Sequence, residues 1–448
     1  MLLLVLVGAS CGREVKTPPS LLLITVDTLR ADHLGCYGSP RQLTPNLDRL
    51  AGESEVFEVA YAPAPFTVPS ISTVLTGRYP EQNGIYSNES ILADSVPTLA
   101  ALLEARGYRT GAVVSNWVLR PGGGLERGFA TYDAQFPQRE AARKVPERNA
   151  TATTDSALNM LDRLGRESAQ PLFLWVHYQD PHGPYTPPED FRSWVSDRET
   201  LPDPDEQQLP FGRDRVGLGA IPPYQRIGDH RDTAYYRIGY EAEIRYADAE
   251  IGRLLEGLKQ RGLYDDTVVA FAADHGESLG EHDFWFAHGK FLHDALVRVP
   301  LLIRVPGRTP ARRSDVTGLV DLLPTLLSAL GVASPSGLAG RNLLSENARL
   351  EPTTPYMATL ASSKSMRFSV VAGRLKYQIE ISEGADPREE LFRLDGDGED
   401  LASRAPRKLN RMREVLRTLR SNFPSVPGKQ RTFGVDDAEN LRALGYLD

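Results

Sequence analysis

The strongest constraint on this chain is a series of continuous apolar runs of strand length, set apart by segments with helical periodicity. Leu21 to Val26, Tyr108 to Ser115, Pro171 to Val176 and Thr267 to Ala273 are the clearest runs. Between them lie helical patterns at Thr44-Pro45 to Leu50, Pro97 to Arg106, near Thr154 to Leu164, and from about Tyr235 to Gln260. A strand that is apolar on both faces must be covered on both sides. Alternation of such strands with helices therefore predicts an α/β fold, a mostly parallel sheet in a three-layer α/β/α arrangement. Leu301 to Val305 and a helix near Asp321 to Leu330 extend the same unit.

Past Gly340 the pattern changes. Met366 to Ala372 and Leu375 to Ile381 alternate around Gly373 and predict a hairpin, with a third strand at Glu390 to Leu394 and a helix over 407–423. The expected organisation is an export segment at 1–19, a catalytic unit at 20–340 and a smaller C-terminal α+β subdomain at 341–448. Within the second, 186–233 is rich in Pro, Asp, Arg and Gly and is expected to be a lid or substrate-facing loop.

With 448 residues, 41% of them apolar and 25% charged, the chain can bury a large core. Its net charge of −8 argues against a surface built to coat nucleic acid, because such binding needs clustered cations. The basic face of 407–423 is read as solvated. The run Leu2 to Val7 followed by Gly8, Ala9, Ser10 and Cys11 looks like an export segment ending at a cysteine that could carry lipid and attach the protein to a membrane. No basic residue precedes it, so a plain signal peptide is the alternative. Both readings place the protein outside the cytoplasm, periplasmic, outer-membrane or secreted. If Cys11 carries lipid, Cys36 has no intramolecular disulfide partner.

Three apolar strands end in groups that bind metals or move protons: Asp27, the pair Asp274 and His275, and His177 followed by His182. In parallel α/β sheets the carboxyl ends of strands line one edge, where ligands bind. His177, His182, His275, His288 and His293, five of eight histidines, are expected near that edge. Oxygen ligands from Asp27 and Asp274 with His275 suit one divalent cation, Ca²⁺, Mn²⁺ or Mg²⁺, and no thiolate is offered. Residues 66 to 80, FTVPSISTVLTGRYP, put the hydroxyl of Thr67 at a helix start, where it either caps orphan N–H groups or attacks an anion held by them. A cation would stabilise its alkoxide, and with the helix start and Lys290 would neutralise a tetrahedral oxyanion. His182, or else His177, is the candidate for protonating the departing oxygen.

The segments LLLITVDTLRADHLGCYG, TPNLDRLAGES, FTVPSISTVLTGRYP, DPHGPY, ADHGESLGEH, HGKFLHDALVRVPLLI and the terminal LRALGYL together resemble the sulfatase family of the alkaline phosphatase superfamily over nearly the whole chain. The resemblance implies a metal-dependent hydrolase of sulfate or phosphate esters, small or glycan, with metal roles for Asp27, Asp274 and His275. It implies leaving-group or substrate roles for His182 and Lys290; His177, Asn116 and His288 are further substrate-contact candidates.

The chain also departs from the family's pattern. Where the family supplies a Cys or Ser oxidised to formylglycine, Thr67 stands, so no formylglycine is expected. Ile71 replaces the Arg that steadies the nucleophile, Thr28 the second metal-binding Asp, and Asn116, Trp117 and Val118 a Lys-Trp-His segment. Relatives with an unmodified Thr nucleophile pair it with divalent cations held by a carboxylate and an Asp-His pair. The leading expectation is hydrolysis through Thr67; the alternatives are a degenerate binder of sulfated or phosphorylated glycans and a head-group transferase.

Overall fold

The computed structural model describes residues 18–139, 146–165, 170–198, 206–213, 217–345, 355–394, 398–423, 426 and 428–431. The export segment with Cys11 and the terminal motif LRALGYL lie outside the described residues. Among the described residues no helix is long and apolar enough to cross a membrane.

The nine-stranded main sheet is built around five parallel strands, in the order Thr267–Ala273, Ser20–Val26, Leu172–Tyr178, Arg109–Val114 and Thr131–Asp133. On one side the order continues through Leu301–Arg304, Glu55–Tyr61 and Arg298–Val299, all antiparallel to their neighbours, while Ala311–Gly318 pairs parallel with Glu55–Tyr61. Leu301–Arg304 thus extends the unit as expected, with reversed direction. The central strands are apolar on both faces because both faces are covered: Leu21, Leu22, Leu23, Phe271 and Trp175 have no exposure.

The predicted helices are present with shifted ends. Thr233–Gln260 starts behind Asp232, whose side chain accepts the Ala234 N–H. Leu99–Glu104 starts behind Thr98, which caps Ala101. The C-terminal sheet has four antiparallel strands, Tyr356–Ala361, Ser365–Ala372, Leu375–Ser382 and Arg388–Arg393, one more than the sequence pattern predicted. The extra strand bonds outward: the Thr359 N–H donates to the Pro63 carbonyl at 2.8 Å, tying the small sheet to the main unit. Leu409, Met412, Leu416 and Leu419 of helix Pro406–Asn422 are buried in the core that this sheet shares with Tyr61, Tyr79 and Phe284. Segment 186–233 also holds more order than its sequence suggests, with a helix at Glu189–Ser196 and a turn at Pro223–Gln225.

Candidate active site

Parallel pairing puts the functional strand ends together. Val26 stands opposite Ala273 on one side and Tyr178 on the other. The ladder then runs one residue further, with the Asp27 N–H donating to the Tyr178 carbonyl at 2.9 Å and the Asp274 N–H to the Val26 carbonyl at 3.1 Å. Asp27 and Asp274 are therefore level with one another at the carboxyl edge of the sheet. On the other flank the Ser115 N–H bonds to the His177 carbonyl, which places Asn116 beside Asp27.

Asp27, Asp274 and His275 each bring a ligand atom within 4.8 Å of the others, and all three residues are fully buried. His275 Nδ1 donates to the Gly276 carbonyl at 2.9 Å, because a carbonyl only accepts, and this turns Nε2 toward the two carboxylates. That Nε2 lies 3.5 Å from Asp27 Oδ1 and 3.8 Å from Asp274 Oδ2, and none of these three atoms has a hydrogen-bond partner. Two carboxylate oxygens and a ring nitrogen facing one another in a buried site, with no partner on any of them, call for a positive charge between them.

The carboxylates divide accordingly. Burial pushes Asp27 up, but the charges of His182, His275 and His177 around it outweigh that and hold Asp27 below the usual carboxylate range. Burial and the charge of Asp27 together hold Asp274 well above that range. Without a cation only one of the pair ionises readily. An orphaned O, O, N donor set of this kind fits a hard divalent cation.

Thr28, at the position of the family's second metal-binding Asp, has φ of 54°, a left-handed conformation unusual for a β-branched residue. Its N–H donates to Asp274 Oδ1 and its carbonyl accepts from Tyr240, while its Oγ1 is buried without a partner.

Thr67 is the first residue of helix Thr67–Thr76; the cap position is Phe66, and the Thr67 side chain has no capping role. Its hydroxyl, fully buried, donates instead to Asp27 Oδ2 at 3.5 Å. This settles the local ambiguity of the sequence against a cap. The helix start itself offers less to an anion than expected: the Val68 N–H is taken by Asn88 Oδ1, Pro69 has none, and the Ser70 N–H bonds to the Phe66 carbonyl. Ile71 is fully buried among apolar residues and brings no charge.

The remaining candidates separate. Asn116 Oδ1 accepts from the Val118 N–H, which turns Nδ2 toward Asp27 Oδ2; the amide holds the carboxylate that Thr67 addresses. His177 is fully buried, with Thr25 Oγ1 2.9 Å from its Nδ1 and its Nε2 3.8 Å from Asp27 Oδ2, so it backs Asp27. His182 Nδ1 donates to the Gly183 carbonyl at 2.9 Å, and burial is the first cause that lowers its pKa to about 4. At neutral pH its Nε2 is therefore an acceptor, which weighs against His182 as the resting acid.

The His288 ring lies 4.6 Å from that of His275 and 5.2 Å from that of His182. Lys290 sits on the loop after Gly289, where a Cβ would come 2.4 Å from the Phe66 ring; its Nζ lies 5.9 Å over Phe291. His293 is not part of the group: it stacks on His282 at 3.8 Å. Four of the five histidines expected at the edge converge.

Glu277 escaped the sequence reading. It is fully buried, its Oε1 is 3.1 Å from His288 Nδ1, and its Oε2 accepts from the Tyr185 hydroxyl at 3.1 Å. Burial pushes it up to about 7, against the lowering charges of His182 and His275. The only signal was its place inside ADHGESLGEH, where a Glu after Gly reads as an ordinary turn residue.

The sulfatase family model matches residues 19–332. Human iduronate 2-sulfatase is 29% identical over 394 residues, covering 70% of this chain and 70% of that protein. A structure determined in complex with its substrate D-glucosamine-2-N,6-O-disulfate superposes with a TM-score of 0.74 at 20% identity, over 91% of this chain and 98% of the other. The phosphonate monoester hydrolase of Agrobacterium radiobacter does so with a TM-score of 0.71 at 21% identity, over 90% and 96%.

Proposed function

The chain belongs to the sulfatase family of ester hydrolases, and on that premise we propose that it cleaves sulfate or phosphate esters with Thr67 as nucleophile and a divalent cation held by Asp27, Asp274 and His275. The observation that carries this reading is the Thr67 hydroxyl, which donates into the carboxylate cluster and leaves the cap position to Phe66. When bound, the cation supplies the positive charge that lowers the hydroxyl pKa and offsets charge on a tetrahedral oxyanion.

The chain's own residues supply the rest. Asp27 Oδ2 takes the Thr67 proton while Asn116 Nδ2 keeps that carboxylate aimed. Thr67 Oγ1 forms a bond to sulfur or phosphorus, and the bond from that atom to the ester oxygen breaks. Glu277, pushed up to about 7, holds a proton near neutrality next to His288 Nδ1. The proton passes from the carboxyl to Nδ1 while Nε2–H protonates the departing oxygen. Water then forms a bond to the same sulfur or phosphorus, the bond from that atom to Thr67 Oγ1 breaks as Oγ1 takes back its proton from Asp27 Oδ2, and sulfate or phosphate is released. His182, neutral at that pH, is suited to accept the water's proton.

A catalytically degenerate binder of sulfated or phosphorylated glycans is the second reading, favoured by the buried, uncharged Ile71 at the place of the family's Arg. The deciding experiment is a panel of sulfate esters, phosphomonoesters and phosphodiesters run with Ca²⁺, Mn²⁺ and Mg²⁺ on wild type and Thr67→Val. Turnover lost in the variant supports hydrolysis through Thr67; a metal-loaded wild type that turns over nothing supports the binder.

A further inference from the structure

We propose that Gln225 is a specificity-determining residue for the alcohol side of the ester, whose amide selects leaving groups that bear hydroxyls, as sugars do. The inference rests on the hydrolase reading above. Gln225 has no solvent exposure, and both Nε2 and Oε1 are buried without a hydrogen-bond partner; among the described residues no other side chain has two such atoms. A buried donor or acceptor left unpaired is costly, and this amide carries one of each. Asp27 Oδ1, Asp274 Oδ2 and His275 Nε2 share that signature, and there the proposed cation would be the missing partner.

The position of Gln225 ties it to the chemistry. It closes the short turn Pro223–Gln225, with its own N–H on the Pro222 carbonyl at 3.0 Å. Tyr224, just before it, is anchored by its hydroxyl to the Phe286 carbonyl at 2.9 Å, and its ring lies 6.2 Å from that of His182. The amide rests against Gly183: a Cβ built there would come 2.1 Å from both Nε2 and Oε1. Gly183 is also the residue whose carbonyl accepts from His182 Nδ1. The orphaned amide and the candidate catalytic imidazole therefore share one glycine, and any larger residue there would collide with the amide.

A hydroxyl both donates and accepts, so the hydroxyls of a sugar satisfy both halves of an amide fork; a nitrophenyl group has no donor and leaves the amide oxygen unpaired. A residue kept only for packing would be better served by Met, which fills a similar volume without unpaired atoms. Both amide atoms are covered in this conformation, so engagement involves a shift of the turn as substrate enters.

The test compares Gln225→Met with wild type on glucose 6-sulfate and glucose 6-phosphate against 4-nitrophenyl sulfate and 4-nitrophenyl phosphate, with thermal denaturation in parallel. Expected is a KM for the sugar esters raised about tenfold or more, aryl esters within about twofold, and an unchanged or higher Tm. Equal loss on both ester classes, or unchanged KM on both, overturns the proposal. Gln225→Leu, a second apolar shape, guards against a folding defect peculiar to Met. If wild type turns over neither class, the hydrolase reading fails by itself, and calorimetric titration with glucose 6-sulfate decides for Gln225: about tenfold weaker binding in Gln225→Met supports it, while equal binding or none by wild type overturns it.

Discussion

Thr67→Val separates the two things Thr67 could be, because valine keeps the shape and removes only the hydroxyl. The hydroxyl bond to Asp27 Oδ2 is 3.5 Å long, at the outer limit of a hydrogen bond, so its net worth is at most about 1 kcal/mol. Asp27 Oδ2 keeps its bond from Asn116 Nδ2, so the substitution leaves no new orphan on that oxygen. A change of that size moves Tm by roughly 2–4 °C in a domain of 150–250 residues, and by no more in this longer chain. Turnover, by contrast, should fall at least about 10³-fold, or roughly 4 kcal/mol of barrier, because the bond-forming atom is gone. Thr67→Ser provides the mirror image: it keeps the hydroxyl, loses one buried methyl at a cost of about 1 kcal/mol, and should retain turnover within about tenfold. The assay is initial rates on 4-nitrophenyl sulfate and phosphate with added cation, with calorimetric Tm on the same samples. A Thr67→Val protein that binds cation and still turns over within tenfold of wild type would refute the role of Thr67.

Other consequences follow from the same geometry. Asp274→Asn removes a carboxyl that burial and the charge of Asp27 disfavour in its ionised form, so the cation-free protein should melt no lower than wild type; the gain on adding cation, about 2.7 kcal/mol at a hundredfold excess over Kd, should disappear in melting scans. Because Asp274 is held well above the usual carboxylate range, protons compete with the cation there: below its pKa, cation affinity should weaken about tenfold per pH unit of acidification, with protons released on binding in titration calorimetry. If Glu277 donates its proton, activity should decline as pH rises through about 7, and Glu277→Gln should lower kcat by 10²-fold or so and abolish that alkaline limb in the pH profile with KM little changed. An unaltered limb in the variant would assign that proton to another group.

How much of this was legible in the sequence depended on the range of the interaction involved. The apolar runs and their helical spacers specified a sheet covered on both faces, because that pattern is written within each segment and buried strands admit few other arrangements. The same logic located Asp27, Asp274 and His275, since the residue after a central parallel strand is placed by the ladder itself. Strand direction at the Leu301–Arg304 edge was not legible, because an apolar strand reads alike in both directions and only its neighbours decide.

The roles of the site residues likewise depended on contacts between distant segments. Whether Thr67 caps its helix was open until Asp27, 40 residues away, accepted its hydroxyl bond. His293, as plausible as His288 in the sequence, turned to His282 instead, and Glu277 became notable only when the fold buried it between Tyr185 and His288. By itself the sequence determined the layered fold and the identity of the groups at one edge of the sheet. Tertiary structure alone decided which of those groups face one another and which oxygens are left without partners, because desolvation and charge coupling are properties of the assembled neighbourhood and leave no trace in the order of residues.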